Sequence, residues 1–330
     1  MMIRRKGILA LGLGIIMSLG LFQGCTSKEE EKVIIYTNSD EECIKTMEDS
    51  LNNSGFKDKF IITGMGTSEL GGKLLAEGKS IEADVVTMSS YYIESAKEKN
   101  QMFVDLTFDT NSIEKYPAYY TPILANTGAI FINTKVLKEK GFEEPKSIKD
   151  LTDPKYKNLI SIPNILDSST AWLLVQAVIS EYGEKEGEEV LKGLVVNAGP
   201  HIESSGSGPI KKVRAGEVLA GFGLRHQGVF DKANGLPIDY IDPVEGNYSL
   251  TESIAVVDKG EEKNKLSMEI AKTIIEKSRS ELIKYYPVAL YKGEKVDEKY
   301  KPKYSKVYKE KLTVDLLKEH QDIFKKAMGN

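Results

Sequence analysis

The chain has 330 residues, with 45 Lys and Arg against 49 Asp and Glu, a formal charge of -4 at pH 7 and only two cysteines. This acidic balance excludes a surface built to neutralise nucleic-acid phosphates. With Cys43 the only thiol besides Cys25, an intramolecular disulfide framework is excluded as well, and the fold must rest on its core.

Arg4, Arg5 and Lys6 precede an uncharged apolar run from Ile8 to Phe22, about 15 residues long, which reads as an export signal and is short for a membrane span. Gly24 directly before Cys25, then Thr26, Ser27 and a Lys/Glu linker, resembles a bacterial lipoprotein signal, with Phe22 where that signal more often has Leu. The expectation is a signal peptide over 1–24, lipid attachment at Cys25 and a linker over 25–32. Losing Arg4, Arg5 and Lys6 takes the formal charge from -4 to -7. The remaining length, roughly 300 residues, predicts two lobes, because single cores stop growing near that size.

Val33 to Tyr36 is a short apolar run suited to a buried parallel strand, ending at Thr37, Asn38 and Ser39; Ser39 with Glu42 reads as a capping box opening a helix through Leu51. The unit recurs. Lys59 to Thr63 leads into Gly66, Thr67 and Ser68 and a helix through Ala76, and Ala83 to Met88 leads into Ser89, Ser90 and a helix through Lys99. Strands alternating with helices predict an α/β domain with a mostly parallel sheet, and ligands in such sheets sit beyond the carboxyl ends of the strands. Tyr116 to Asn126 breaks the rhythm, Gly128 to Asn133 is a strand, and Thr134 to Lys140 a helix closed by Gly141. A strand over Leu159 to Ile162 precedes a further polar helix start at Asp167, Ser168, Ser169 and Thr170.

The stretch from Gly199 to Gln227 reads as a Ser/Gly loop with Ser204, Ser205 and Ser207, a helix with Pro209 at its first position, a turn at Gly216 and a strand ending in Arg225 and His226. A helix N-terminus flanked by hydroxyls and close to an arginine is an anion site. Ile238 to Ile241 is a strand, Asp242 to Asn247 a loop, Ser249 to Val257 a returning strand, and Asn264 to Lys277 and Val314 to Lys326 amphipathic helices.

Gly66-Thr-Ser-Glu-Leu, Ala83-Asp-Val-Val, Gly128-Ala-Ile-Phe-Ile-Asn-Thr, the Pro145 to Leu159 segment, Gly216-Glu-Val-Leu-Ala-Gly-Phe-Gly, Glu245-Gly-Asn and Tyr286-Pro-Val together resemble the extracellular solute-binding lipoproteins of ABC importers. The resemblance is to the branch with ferric-ion, 2-aminoethylphosphonate, polyamine and thiamine binders, and it covers nearly all of residues 33 to 290. It implies a type II periplasmic-binding-protein-like clamp with two crossover segments: lobe 1 from 33–121 and 250–330, the C-terminal helices packing in part on lobe 2, and lobe 2 from 122–249. It also implies ligand contacts from strand-end turns: Thr37, Asn38, Ser39, Thr67, Ser68, Ser89 and Ser90 in one lobe, and Ser168, Ser169, Thr170, Ser204, Ser205, Arg225 and His226 in the other. The implied partners are an ABC permease and its ATPase, with the membrane reached through the lipid, a monomeric chain and no cofactor.

Ferric-binding relatives place paired tyrosines where this chain has Leu224, Arg225 and His226. A fixed positive charge there disfavours a trivalent cation. Tyr91-Tyr92, Tyr119-Tyr120 and Tyr285-Tyr286 read as core and crossover packing, and the three histidines show no zinc spacing. Hydroxyls and backbone N–H groups at helix N-termini, with bidentate Arg225, suit a tetrahedral oxyanion such as a phosphonate, 2-aminoethylphosphonate being the specific expectation. If the solute carries an amine, Glu245 or Asp242 is placed to pair with it. Ferric iron, a polyamine and thiamine remain the alternatives. No Gly-x-Ser-x-Gly elbow, HExxH helix or P-loop is present, so binding without chemistry is expected rather than a secreted enzyme, with a surface sensor as a further rival.

Overall fold

The computed structural model describes residues 32–329. The expected signal peptide, Cys25 and nearly all of the linker lie outside the described residues. Among the described residues no helix is long and apolar enough to cross a membrane.

The first half of the fold is β1 (Val33–Thr37), α1 (Glu41–Leu51), β2 (Phe60–Gly64), α2 (Thr67–Glu77), β3 (Val85–Ser89), α3 (Ser90–Asn100), β4 (Tyr120–Asn133) and α4 (Thr134–Lys140). Then come β5 (Ile160–Pro163), α5 (Ser169–Ala198), β6 (Ile202–Glu203), α6 (Gly208–Ala215), β7 (Ala220–Leu224), α7 (Arg225–Ala233) and β8 (Ile238–Ile241). β9 (Ser249–Val256), α8 (Glu261–Thr273), α9 (Arg279–Tyr285) and α10 (Val314–Ala327) complete the chain. The strands run in the order β2-β1-β3-β9-β4-β7-β5-β6, with β8 also on β4.

Two lobes share this one path of strands. β4 pairs with β9 from Tyr120 to Thr127 and then with β7 and β8 from Gly128 onward, so a single 14-residue strand belongs to both. The break in rhythm expected over Tyr116 to Asn126 is therefore largely strand. Pro122 is accommodated there because the β4–β9 register shifts between Pro122 and Leu124, the kind of irregularity at which proline is tolerated. Gly128, where the partners change, has no room for a side chain: a Cβ would lie 2.6 Å from the Phe222 ring and 3.1 Å from Leu173. The expected mostly parallel sheets prove mixed. β1 pairs parallel with β2 and β3, and β5 with β6 and β7, whereas every pairing made by β4 and β9 is antiparallel.

Two local readings are corrected. The cap of α1 is Asp40 rather than Ser39: the Asp40 side chain accepts from the Cys43 amide at 3.2 Å. β7 ends at Leu224, and Arg225 and His226 open α7 instead of closing the strand.

The core is aliphatic and aromatic throughout. Tyr91 and Tyr92 pack with ring centroids 4.8 Å apart, and Tyr91 meets the edge of buried Trp172. α10 lies on α5, where Trp172 Nε1 donates to His320 Nδ1 at 2.8 Å and the Tyr308 hydroxyl lies 3.2 Å from His320 Nε2. Burial pulls the His320 imidazole down from 6.5 to about 4, because the charged ring has nowhere to be hydrated. A depressed folded-state value means that this group contributes stability above pH 6.5, which is lost as pH falls through 6.5 toward 4. The full loss is about 3 kcal/mol. In urea unfolding at pH 7 and pH 4.5, His320→Gln should lose less stability on acidification than the parent chain. Equal losses would assign the acid sensitivity to other groups.

Candidate functional site

Four helix N-termini face one cleft of about 400 Å³. From the first lobe come Asn38, Ser39 and Asp40 ahead of α1, and Gly66 and Thr67 at the start of α2; the other lobe supplies Asp167 to Thr170 at α5 and Ser204 to Ser207 at α6. Leu124, Asn126 and Glu252 on the crossover strands, with Tyr286, complete the wall. Each turn follows a strand that delivers the chain to the same edge, as the β/α alternation requires.

The lobes touch across this cleft. The Thr67 hydroxyl lies 3.4 Å from Ser169 Oγ, and Ser68 Oγ donates to the Leu166 carbonyl at 2.6 Å. On the other flank His226 Nε2 lies 3.7 Å from Asp40 Oδ2, and the His226 ring packs on Tyr286 at 4.3 Å. Tyr286 donates its hydroxyl to Asp40 Oδ1. The structure is thus a clamp with its walls in contact.

On the second lobe, the α5 and α6 turns are fitted to one another. Ser168 caps α5 by accepting from the Thr170 amide, while Ser207 precedes α6 without a side-chain cap. Gly206 packs so closely that a Cβ there would lie 2.0 Å from Thr170 Oγ1 and 3.3 Å from Ser168 Oγ. Hydroxyls and N–H groups at two helix starts form a donor-rich face, favourable to negative charge.

The first-lobe wall has the opposite character. Glu252 is only 2% exposed and accepts from Ser89 Oγ at 2.9 Å. The Asn38 amide turns its nitrogen to Glu252 Oε2 at 3.0 Å, its oxygen accepting from Thr67 Oγ1 at 3.0 Å; this orientation gives both atoms a complementary partner. Burial pushes the Glu252 carboxyl up to about 7, Asp40 adding to the rise against the hydrogen bonds from Ser89 and Asn38. At Asp40 burial acts in the same upward direction, but His226, the Tyr286 hydroxyl and the Cys43 amide outweigh it and hold the carboxyl below its ordinary range.

Of the residues expected at the site, Asn38, Ser39, Thr67, Ser168, Ser169, Thr170, Ser204 and Ser205 line the cleft. The others do not. Thr37 is buried behind it, accepting from Thr87 Oγ1 at 2.6 Å. Ser68 is spent on Leu166, Ser89 on Glu252, and Ser90 on the Thr251 carbonyl at 3.0 Å. Arg225 is 4% exposed and turned away, making a two-point ion pair with Asp242 and donating to the Tyr300 and Lys301 carbonyls. Its position opening α7 aims it at the loop after β8 instead of the cleft. His226 borders the cleft only through Asp40 and Tyr286. Glu245 is fully buried, accepting from the Ile148 and Lys149 amides and the Tyr182 hydroxyl, and Asp242 is held by Arg225, so neither faces a solute.

Sequence reasoning missed Asp40, Asn126, Glu252 and Tyr286 as lining residues. Glu252 did carry a signal: it shares a strand face with Leu250, Ile254 and Val256, where an isolated carboxylate is out of place.

The model of the bacterial extracellular solute-binding protein family matches residues 82–305. The chain belongs to this family. A curated relative of uncharacterised function from Haemophilus influenzae is 34% identical over 116 residues, 35% of this chain; the chain spans about a third (33%) of that relative's length. Solved structures show the same fold at lower identity. The periplasmic binding protein AfuA from Actinobacillus pleuropneumoniae, with fructose-6-phosphate bound, has a TM-score of 0.72 at 20% identity, covering 91% of this chain and 97% of its own. A periplasmic thiamin-binding protein gives 0.73 at 13% identity, covering 91% and 97%. Iron-bound HitA from Pseudomonas aeruginosa gives 0.70 at 20%, covering 90% and 99%. The fold is therefore that of the type II periplasmic binding proteins, and membership places this solute-binding protein outside the cytoplasm.

Proposed function

We propose that this solute-binding protein captures a small phosphonate or organic phosphate between its lobes and hands it to an ABC permease, without chemical turnover. The observation that carries this reading is the pair of mutually packed, hydroxyl-rich N-termini of α5 and α6 facing the cleft. Oriented N–H dipoles and hydroxyls suit a tetrahedral oxyanion without a fixed cation. Ligand contacts then fall to Asn38, Ser39, Thr67, Ser168, Ser169, Thr170, Ser204 and Ser205. The lobes move as 33–121 with 250–330 against 122–249, and the solute stabilises the closed form because only there do both walls reach it. A lipid on Cys25 tethers the monomer to the outer face of the membrane.

A second reading, capture of a cation such as a polyamine or thiamine, draws support from the charged residues lining the cleft, which are all carboxylates: Asp40, Glu69, Asp167 and Glu252. A ferric site has less support, because among the described residues Tyr286 is the one tyrosine lining the cleft and its hydroxyl is donated to Asp40.

A thermal-shift series with 2-aminoethylphosphonate, phosphate, spermidine, thiamine and a ferric chelate separates these readings. A solute at 100 times its Kd stabilises the folded state by about 2.7 kcal/mol, a clear rise in Tm. A rise with the phosphonate is expected. A rise with spermidine or thiamine alone would replace the anion reading by the cation one, and a rise with the ferric chelate alone would point to the tyrosines.

A further inference from the structure

We infer that His226 and Phe230 on α7, closing against the paired Tyr286 and Tyr285, form a latch that draws the two lobes together without help from a solute. Neither His226 nor Phe230 lines the cleft. They are positioning residues for capture, setting how often the cleft stands assembled. This rests on the two-lobe reading but on no particular solute.

The two sides of this seam belong to different lobes. α7 is fixed to the second lobe, where a Cβ at Gly228 would lie 2.9 Å from Tyr240 and 3.0 Å from Phe131. Tyr286 is embedded in the first-lobe core with Val33, Ile35 and Met47. His226 and Phe230 stand about one helical turn apart and share a face of α7. Consecutive helical residues diverge, yet α9 ends at Tyr285 and Tyr286 leaves the helical conformation (φ -114°, ψ 80°), so both rings meet α7. The His226 ring packs on Tyr286 at 4.3 Å, and the Phe230 ring lies 6.0 Å from that of Tyr285. Behind them His226 Nε2 stands 3.7 Å from Asp40 Oδ2, the two side chains only 8% and 13% exposed.

All of these contacts are between protein groups, so their free energy is available to the solute-free protein. Opening would expose two aromatic pairs and part His226 from Asp40, while the Tyr286 hydroxyl and the Cys43 amide, on the same lobe as Asp40, stay with it. The apparent affinity for a solute falls with the fraction of molecules that are binding-competent, so a latch that raises this fraction strengthens capture without touching the solute.

Small-angle X-ray scattering of the protein, dialysed free of small molecules, tests the latch. The double variant His226→Ala, Phe230→Ala is expected to shift to a larger radius of gyration than the parent, with each single variant in between. Phe230→Tyr, which keeps a ring against Tyr285, should stay as compact as the parent. Phe230 is 51% exposed, so Phe230→Ala still tests the seam where His226→Ala fails to fold. Ser68→Ala removes the hydrogen bond to Leu166 on the other flank and serves as the comparison. Opening in Ser68→Ala with none in the double variant would overturn the latch and leave the two-lobe reading standing. A parent as expanded as the double variant, or a double variant that melts earlier at the parent's radius, would also overturn the latch. No change of radius in any variant, Ser68→Ala included, would take the two-lobe motion down with it.

Discussion

Arg225→Ala is expected to lower stability by about 3–5 kcal/mol, the range for breaking a buried ion pair from one side. In a chain of this size, that is a fall in Tm on the order of 10 °C. The guanidinium meets Asp242 at 2.7 and 3.1 Å, donates to the Tyr300 and Lys301 carbonyls, and lies 4.6 Å from the centre of the Tyr240 ring. Asp242 in turn accepts from Asn247 at 2.9 Å and from the Lys303 amide at 3.0 Å, and Asn247 reaches the Gly128 carbonyl at the point where β4 changes partners. Removing the arginine leaves a buried carboxylate in a network that ties the 300–304 segment to the crossover. The double variant Arg225→Ala, Asp242→Ala should recover part of the loss, because no unpaired charge then remains. Solute affinity measured well below the melting transition should change little. A loss of affinity beyond severalfold, with stability unaltered, would return Arg225 to the binding site.

Gly206→Ala is expected to act the other way round, with at least a tenfold loss of solute affinity and a modest stability cost of about 1–3 kcal/mol from overpacking. The new Cβ would sit 2.0 Å from Thr170 Oγ1 and 2.7 Å from Thr170 Cβ, so the Ser204–Ser207 turn has to separate from the start of α5. Sub-ångström positioning of donors decides their worth to an anion, and this change displaces them by more than that. Gly72→Ala is the control: it sits in α2 with nothing within 4 Å of its Cβ and should be neutral or slightly stabilising. Titration of both variants with the phosphonate that binds the parent provides the check. Parent-like affinity in Gly206→Ala would show that the α5 and α6 turns do not hold the anion.

The alternation of short apolar runs with polar helix starts was legible because each is a local property. Val33, Ile35 and Val85 had to be buried strand, and Ser168 had to open a helix. The same logic brought the hydroxyl turns to one cleft, where Thr67 and Ser169 now meet although 102 residues apart. Reasoning from chain position failed where a side chain had a choice of directions. Arg225 stands one residue beyond β7, and whether it faces the solute or the 300–304 segment depends on α7 beginning at that residue. Glu245 stands in a loop that sequence order put near the crossover, yet the Ile148 and Lys149 amides claim it. Tyr286 reads locally as apolar packing, and only its meeting with Asp40, 246 residues away, makes it part of the cleft wall.

β4 and β9 lie side by side in antiparallel register from Tyr120 to Thr127, and β4 continues unbroken into the second sheet. Mechanically this makes the connection a short twisted ribbon rather than a pin joint. Sliding one lobe along the other would have to shear a row of cooperating hydrogen bonds, whereas a few degrees of torsion spread over the same strands disturbs none of them. If the lobes open as proposed, the expected motion is therefore a twist of this ribbon and not a slide along it. Glu252, in register with Ser89 on one side and Leu124 on the other, belongs to that ribbon and is then expected to move less than the donor turns of the far lobe.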